Sequence, residues 1–244
     1  RRRPGDRRRH ALGGRAGTVT AMPVAISWSA GKDSYLALLQ ARAAGLDVRR
    51  FVTLCEPDGH SKSHALPPAL IAAQVAALGG HWQPVLVPPG GYAAAFDASL
   101  ARLRADGIHS MVFGDIDLQA HRDWLEPACR RAGLQPVFPL WGRDRRGLAA
   151  EVIARGIRAR VVCVDLGRLD ASFCGADYNA ALIARLPPGV CPAGEDGEFH
   201  TLVLHGPGMA APLRVVDGPQ RRVVTQPPWQ PTTLLFQLLS LAEA

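Results

Sequence analysis

The sequence predicts an α/β protein built on an open parallel sheet with crossover helices, and three observations carry that prediction. From Met22 onward, short β-rich apolar runs alternate with Ala- and Leu-rich helical stretches. The loops that hold polar or small residues follow strands, at the edge where an open parallel sheet takes its ligands. The first of them, Ser29-Ala30-Gly31-Lys32-Asp33-Ser34, joins the apolar run 23–28 to a helical stretch and suits an anion. It offers backbone N–H groups at a helix start, small residues, hydroxyls and an ammonium group.

Strands are expected near 23–28, 48–55, 83–87, 108–113, 135–138 and 160–165, and helices near 33–44, 66–78, 92–105, 119–132 and 147–155. The further loops after strands are Glu56–His64, Gly114-Asp115-Ile116-Asp117 and Pro139-Leu140-Trp141-Gly142. Beyond Asp165 the pattern changes. Residues 174–186 look helical, and Pro187-Pro188-Gly189 leads into Cys191-Pro192-Ala193-Gly194-Glu195-Asp196-Gly197-Glu198-Phe199-His200-Thr201. This divides the chain into a basic, disordered tail over 1–21, a sheet domain over 22–165, a small α/β subdomain over 166–216 and an extension over 217–244. The extension carries no functional signal.

The formal charge of +7 is placed unevenly, since residues 1–21 hold seven Arg and one Asp. The rest is nearly neutral, which disfavours nucleic acid as a partner. Five widely spaced cysteines form no C-x-x-C pair, which argues against a disulfide framework or a zinc ribbon and fits a reducing, cytoplasmic setting. No apolar run has the length of a membrane span. A Walker-type NTPase is disfavoured as well, because Gly31-Lys32 is followed by Asp33 and lacks the earlier Gly of that pattern.

The loop Ser29–Ser34 resembles the Ser-Gly-Gly-x-Asp-Ser loop of the N-type ATP pyrophosphatases. Later segments narrow the likeness: Gly114-Asp115-Ile116, His121-Arg122, Pro139-Leu140-Trp141 and Gly194–Thr201, in this order. Together they resemble the diphthine–ammonia ligase family over about residues 22–215. The resemblance implies a Rossmann-like fold of the HUP, PP-loop type, with 22–165 as its ATP-binding domain. It also implies an AMP-forming C–N ligase that uses ATP and Mg²⁺, with a small or protein-borne carboxylate acceptor and ammonia as its other substrates. Diphthamide biosynthesis is the family's pathway, and a homodimer is compatible with it. Two departures stand out: Ala30 replaces the first Gly of the loop, and Ala193 stands where the family often has Cys, with Cys191 two residues earlier.

Within this frame Ser29, Ala30, Gly31, Lys32, Asp33, Ser34, His64 and Gly114 are expected at the nucleotide. Asp33 is the candidate Mg²⁺ ligand or, alternatively, a helix cap. Lys32, Asp115, Glu195 and Glu198 are the candidate catalytic residues, the paired Glu residues serving to orient ammonia and take its proton. Arg122, Gly197, His200 and Thr201 are expected at the acceptor. Lys32 and Lys62 are the two lysines of an Arg-rich chain, and each falls in a loop after a strand. Trp141 reads equally as a core residue or a base-stacking one, and Asp117 as the cap of the next helix. A metal site from Cys174, Cys191 and His200 matches no zinc spacing. The competing functions are a tRNA-modifying ATP pyrophosphatase and a non-catalytic adenine-nucleotide-binding protein.

Overall fold

The computed structural model describes residues 23–62, 64–225 and 231–242. The basic tail over 1–21 lies outside the described residues, as does most of the Pro-rich stretch 226–231. Five strands, β1 (Pro23–Ser27), β2 (Asp47–Cys55), β3 (His81–Leu86), β4 (Ser110–Val112) and β5 (Gln135–Val137), form a parallel sheet in the order β3-β2-β1-β4-β5. The helices α1 (Lys32–Ala43), α2 (Pro68–Ala77), α3 (Tyr92–Ala105) and α4 (Gln119–Arg131) are its crossovers, and α5 (Arg145–Ala154) follows β5. The order reverses between β1 and β4, so the loops after these two strands diverge and leave a crevice at the carboxyl edge. Ser29–Ser34 and Gly114–Asp117 are those loops.

The run at 160–165 does not extend this sheet. It forms β6 (Arg158–Asp165), the centre of a second, antiparallel sheet with β7 (Asp177–Tyr178), β8 (Phe199–His205), β9 (Val215–Val224) and β10 (Thr233–Leu241). A fully buried strand has the same apolar run in either kind of sheet, so the run alone cannot assign it. The expected division at residue 165 therefore falls at the end of a strand of the second sheet, and the 217–244 extension supplies most of the β9–β10 hairpin. Nor is 174–186 one helix: Asp177–Tyr178 pairs with β6, and α6 (Ala180–Arg185) starts only after Asn179, whose side chain accepts from Leu182 N at 2.9 Å.

Two apolar clusters flank the parallel sheet. Phe96, Leu100 and Leu103 of α3 and Leu125 and Cys129 of α4 pack on Met111 and Phe113. On the other face Leu36, Leu38, Leu70 and Ile71 join Leu148, Val152, Leu202 and Val203 in one continuous core that reaches the second sheet. Each such side chain contributes about 1.5–3 kcal/mol of burial, so the two sheets are held together by the same core that seats α1 and α2. No helix of the described residues is long and apolar enough to cross a membrane.

Candidate active site

The loop after β1 meets the acidic segment before β8. Gly31 precedes α1, no side chain caps that helix, and the Lys32 N–H instead donates to Thr201 Oγ1 at 3.1 Å. Lys32 is buried; its Nζ donates to Asp33 Oδ2 at 2.7 Å and to the carbonyl oxygen of Ala193, and faces the rings of Tyr178 and Phe199 at 5.7 and 5.6 Å. Asp33 is thus the partner of the ammonium, and its cap reading fails. The Ser29 and Ser34 hydroxyls lie 3.1 Å apart, and Ser34 Oγ donates to Gly31 O.

Close approach explains the glycines. A Cβ on Gly31 would come to 3.0 Å of Thr201 O and 3.1 Å of His64 Nε2, and one on Gly114 would come to 2.9 Å of Ser34 N. Gly114 therefore lets the loop after β4 lie against the first turn of α1. Ala30 adopts φ +66°, the conformation for which the family's usual residue is Gly.

His64 is buried and His200 half-buried, with rings 4.7 Å apart. Burial, then the Lys32 charge, holds the His200 pKa down at about 4. Burial, the His200 ring and Lys32 lower that of His64 well below the ordinary range. Both rings are neutral near pH 7. The buried His64 Nδ1 has no hydrogen-bond partner among the described residues, and Nε2 is the ring atom that lies beside Gly31.

The two glutamates separate. Glu198 is fully buried and takes both oxygens into its own loop, Oε1 accepting from Cys191 N at 2.8 Å and Oε2 from Asp196 N at 3.0 Å. Glu195 is only partly buried. Burial, then the nearby Asp33 carboxylate, raises its pKa to about 7, against the opposing pull of Lys32 and Arg145. Gly197 takes φ +84° in the turn between them.

Asp115 Oδ1 lies 3.0 Å from His121 Nδ1, and this contact raises the His121 pKa, with a smaller push from Glu195. Arg122 is not a free cation. Its guanidinium lies over the edge-packed rings of Phe138 and Trp141, at 5.2 and 4.7 Å, and donates to Glu126 Oε1 at 2.5 Å. Lys62 is likewise bound to Glu56 at 2.7 Å. Asp117 does not cap α4, whose start carries no side-chain cap, and pairs with Arg145 instead. Thr201, expected at the acceptor, accepts the Lys32 N–H and is buried.

Arg145 was not visible in the sequence. Its guanidinium binds both Asp117 oxygens at 2.6 and 2.8 Å and both Asp196 oxygens at 3.0 and 3.1 Å, with the Cys191 thiol alongside. It ties the loop after β4 to the Gly194 segment across the crevice, and these acceptors raise its pKa further above the usual guanidinium range. Among the described residues no three His, Cys, Asp or Glu side chains gather that could hold a metal ion.

Residues 22–136 match the diphthamide synthase N-terminal domain family, and residues 144–226 the diphthamide synthase C-terminal domain family. A diphthine–ammonia ligase of Schizosaccharomyces pombe is 27% identical over 140 residues, covering 48% of this chain and 22% of that relative. The chain thus spans under a quarter of the length of the curated relative it matches. The two domain matches fall on the two sheets in order, and the chain belongs to the diphthamide synthase family.

Proposed function

We propose that the protein is an ATP-dependent ligase that activates a carboxylate by adenylation, releases pyrophosphate and transfers ammonia to form an amide. The observation that carries this reading is the convergence on Lys32 of an uncapped helix start and an acidic segment whose Glu195 is held near neutrality. Family membership and the diphthine–ammonia ligase relative support the same class of reaction.

The residues fit a nucleotide at this crevice: the mutually bonded hydroxyls of Ser29 and Ser34, an α1 start whose N-cap Gly31 brings no side chain, the Lys32 ammonium and the neutral, buried His64. ATP bound there supplies the α-phosphoryl group that turns a carboxylate into a good acyl donor. Lys32 and the first amides of α1 hold the pyrophosphate portion as negative charge builds on it. Asp33 would hold Mg²⁺ together with the phosphates, since the described residues offer no larger protein cage. His64 and His200, kept neutral, donate or accept hydrogen bonds without adding charge.

Glu195 is the proton acceptor for ammonia. A carboxyl with a pKa of about 7 is half ionised at neutral pH, which matches a general base to its task. Glu198 is a positioning residue that folds the 191–198 loop around its two oxygens. Asp115, held by His121 at 3.0 Å, is assigned to the ammonia and acceptor side of the same edge.

Lys32→Ala and Glu195→Gln separate the two halves of the reaction. Lys32→Ala is expected to weaken a non-hydrolysable ATP analogue by tenfold or more, whereas Glu195→Gln is expected to bind it nearly as the parent does. Glu195→Gln should instead lose amide formation by about 10²-fold or more. Calorimetry beside a product assay reads both. Equal loss of analogue affinity in the two variants would put Glu195 in the nucleotide site and defeat its assignment as base.

A further inference from the structure

We propose that Gln74 is the positioning residue that lets an alanine occupy the left-handed position of the nucleotide loop; its functional consequence rests on the reading of that loop given above. Ala30 is fully buried with φ +66°, a region in which a Cβ is strained and which the chain enters here without glycine. Something must hold it there.

Gln74 projects from α2, where it is the lone polar side chain among Ala, Leu, Ile, Val and Pro, and it is fully buried. Its amide oxygen accepts from Trp28 Nε1 at 2.9 Å, and its amide nitrogen donates to Ala30 O at 3.2 Å and to Val203 O at 2.6 Å. Val203 N donates to the same Ala30 oxygen at 2.9 Å. The Ala30 carbonyl therefore faces two donors, one from α2 and one from β8, and Trp28 fixes which end of the Gln74 amide carries the donor.

The consequence follows from the planarity of the peptide. Because the group is trans, an Ala30 oxygen held toward Gln74 and Val203 points the Gly31 N–H the opposite way, into the loop. There it meets Ser29 Oγ at 3.3 Å, at the head of the amides that precede α1. Turning Ala30 into the ordinary right-handed region would swing its oxygen off both donors and the Gly31 N–H out of the loop. An apolar side chain of equal size at 74 would fill the same space; it would not supply the donor. Gln74 is thus coupled to Ala30 in a way that glycine at that position would make unnecessary.

Three readouts test this in the full chain: the ¹³Cα and ¹³Cβ shifts of Ala30, which report its backbone conformation without any ligand, affinity for a non-hydrolysable ATP analogue, and the thermal midpoint, which Gln74→Met is expected to lower. Gln74→Met is expected to move the Ala30 shifts out of the left-handed range. It should weaken the analogue about tenfold or more, because only molecules with the loop in place bind it. Adding Ala30→Gly to Gln74→Met should restore most of the affinity while the lowered thermal midpoint persists, since Trp28 and Val203 still lack their partner. A purely structural Gln74 would show no such rescue. Gln74→Asn, one methylene too short to span Trp28 and Ala30, is read by the same criteria if Gln74→Met does not fold. Unchanged Ala30 shifts in the Gln74 variant, or a double variant that binds no better than the single one, would overturn the proposal. A parent chain that fails to bind the analogue overturns the nucleotide reading instead, and the carbon shifts then decide the role of Gln74 on their own.

Discussion

Glu195→Gln is expected to make the protein more stable at alkaline pH while it removes amide formation. The carboxyl of Glu195 has a pKa of about 7 in the folded protein, against an ordinary value of 4.5, chiefly because burial and the Asp33 carboxylate disfavour its charge. A group with a raised folded pKa stabilises the fold fully below its unfolded value and loses that contribution as pH rises through the folded one. Between pH 4.5 and about 7 the parent therefore loses stability that the uncharged amide keeps. A rise of this size corresponds to about 3 kcal/mol at most, and the partial exposure of the side chain brings the expected gap down to about 1–2 kcal/mol. Urea denaturation of parent and variant at pH 5 and pH 8, compared at equal m-value, reads it directly. A gap that is the same at both pH values, or a variant that is less stable than the parent at pH 8, would refute the argument that Glu195 carries a disfavoured charge.

Glu198→Ala should behave oppositely, costing about 1–3 kcal/mol because it strands the buried N–H of Cys191 and frees the part-buried N–H of Asp196; a loss below about 0.5 kcal/mol in chemical denaturation would contradict its bracing of the loop. Arg145→Met is expected to cost only about 1 kcal/mol of stability, as its ion pairs are partly exposed, yet to speed amide hydrogen exchange across 191–197; unchanged exchange there would mean that the loop does not depend on Arg145. His200, with its pKa held at about 4, contributes stability that is fully present above 6.5 and is lost as pH falls toward 4. His200→Gln should flatten the stability profile over that window, and an unaltered acid limb would show that other groups govern it.

The parallel sheet and its crossovers were legible because period and composition agree in each segment, and the crevice followed from the rule that ligands sit where strand order reverses. What the sequence could not convey is who bonds to whom across distance. Arg145 is one arginine in an Arg-rich chain, and only the fold brings Asp117 and Asp196 to it. Glu195 and Glu198 lie three residues apart in a Gly-rich loop, so nothing in their spacing says that Glu198 turns inward and Glu195 stays at the crevice. Arg122 reads as a cation available to the acceptor until Phe138, Trp141 and Glu126 are seen to engage it. Gln74 did leave a trace, as the lone polar residue of an otherwise apolar helix, a pattern that signals a buried polar group with specific partners. The second sheet was the larger omission, because β9 and β10 alternate too weakly to be distinguished from an extended tail, and β6, which pairs with β10, reads like a parallel strand.

The central claim is that the carboxylate oxygen of an acceptor attacks the α-phosphorus of ATP. Turnover with ammonium and acceptor carboxylates carrying ¹⁸O, with diphthine among them, tests it by ³¹P NMR. The account predicts pyrophosphate and AMP, with one ¹⁸O transferred to the AMP phosphoryl group as the amide forms. ADP with phosphate, or AMP without the label, would contradict it.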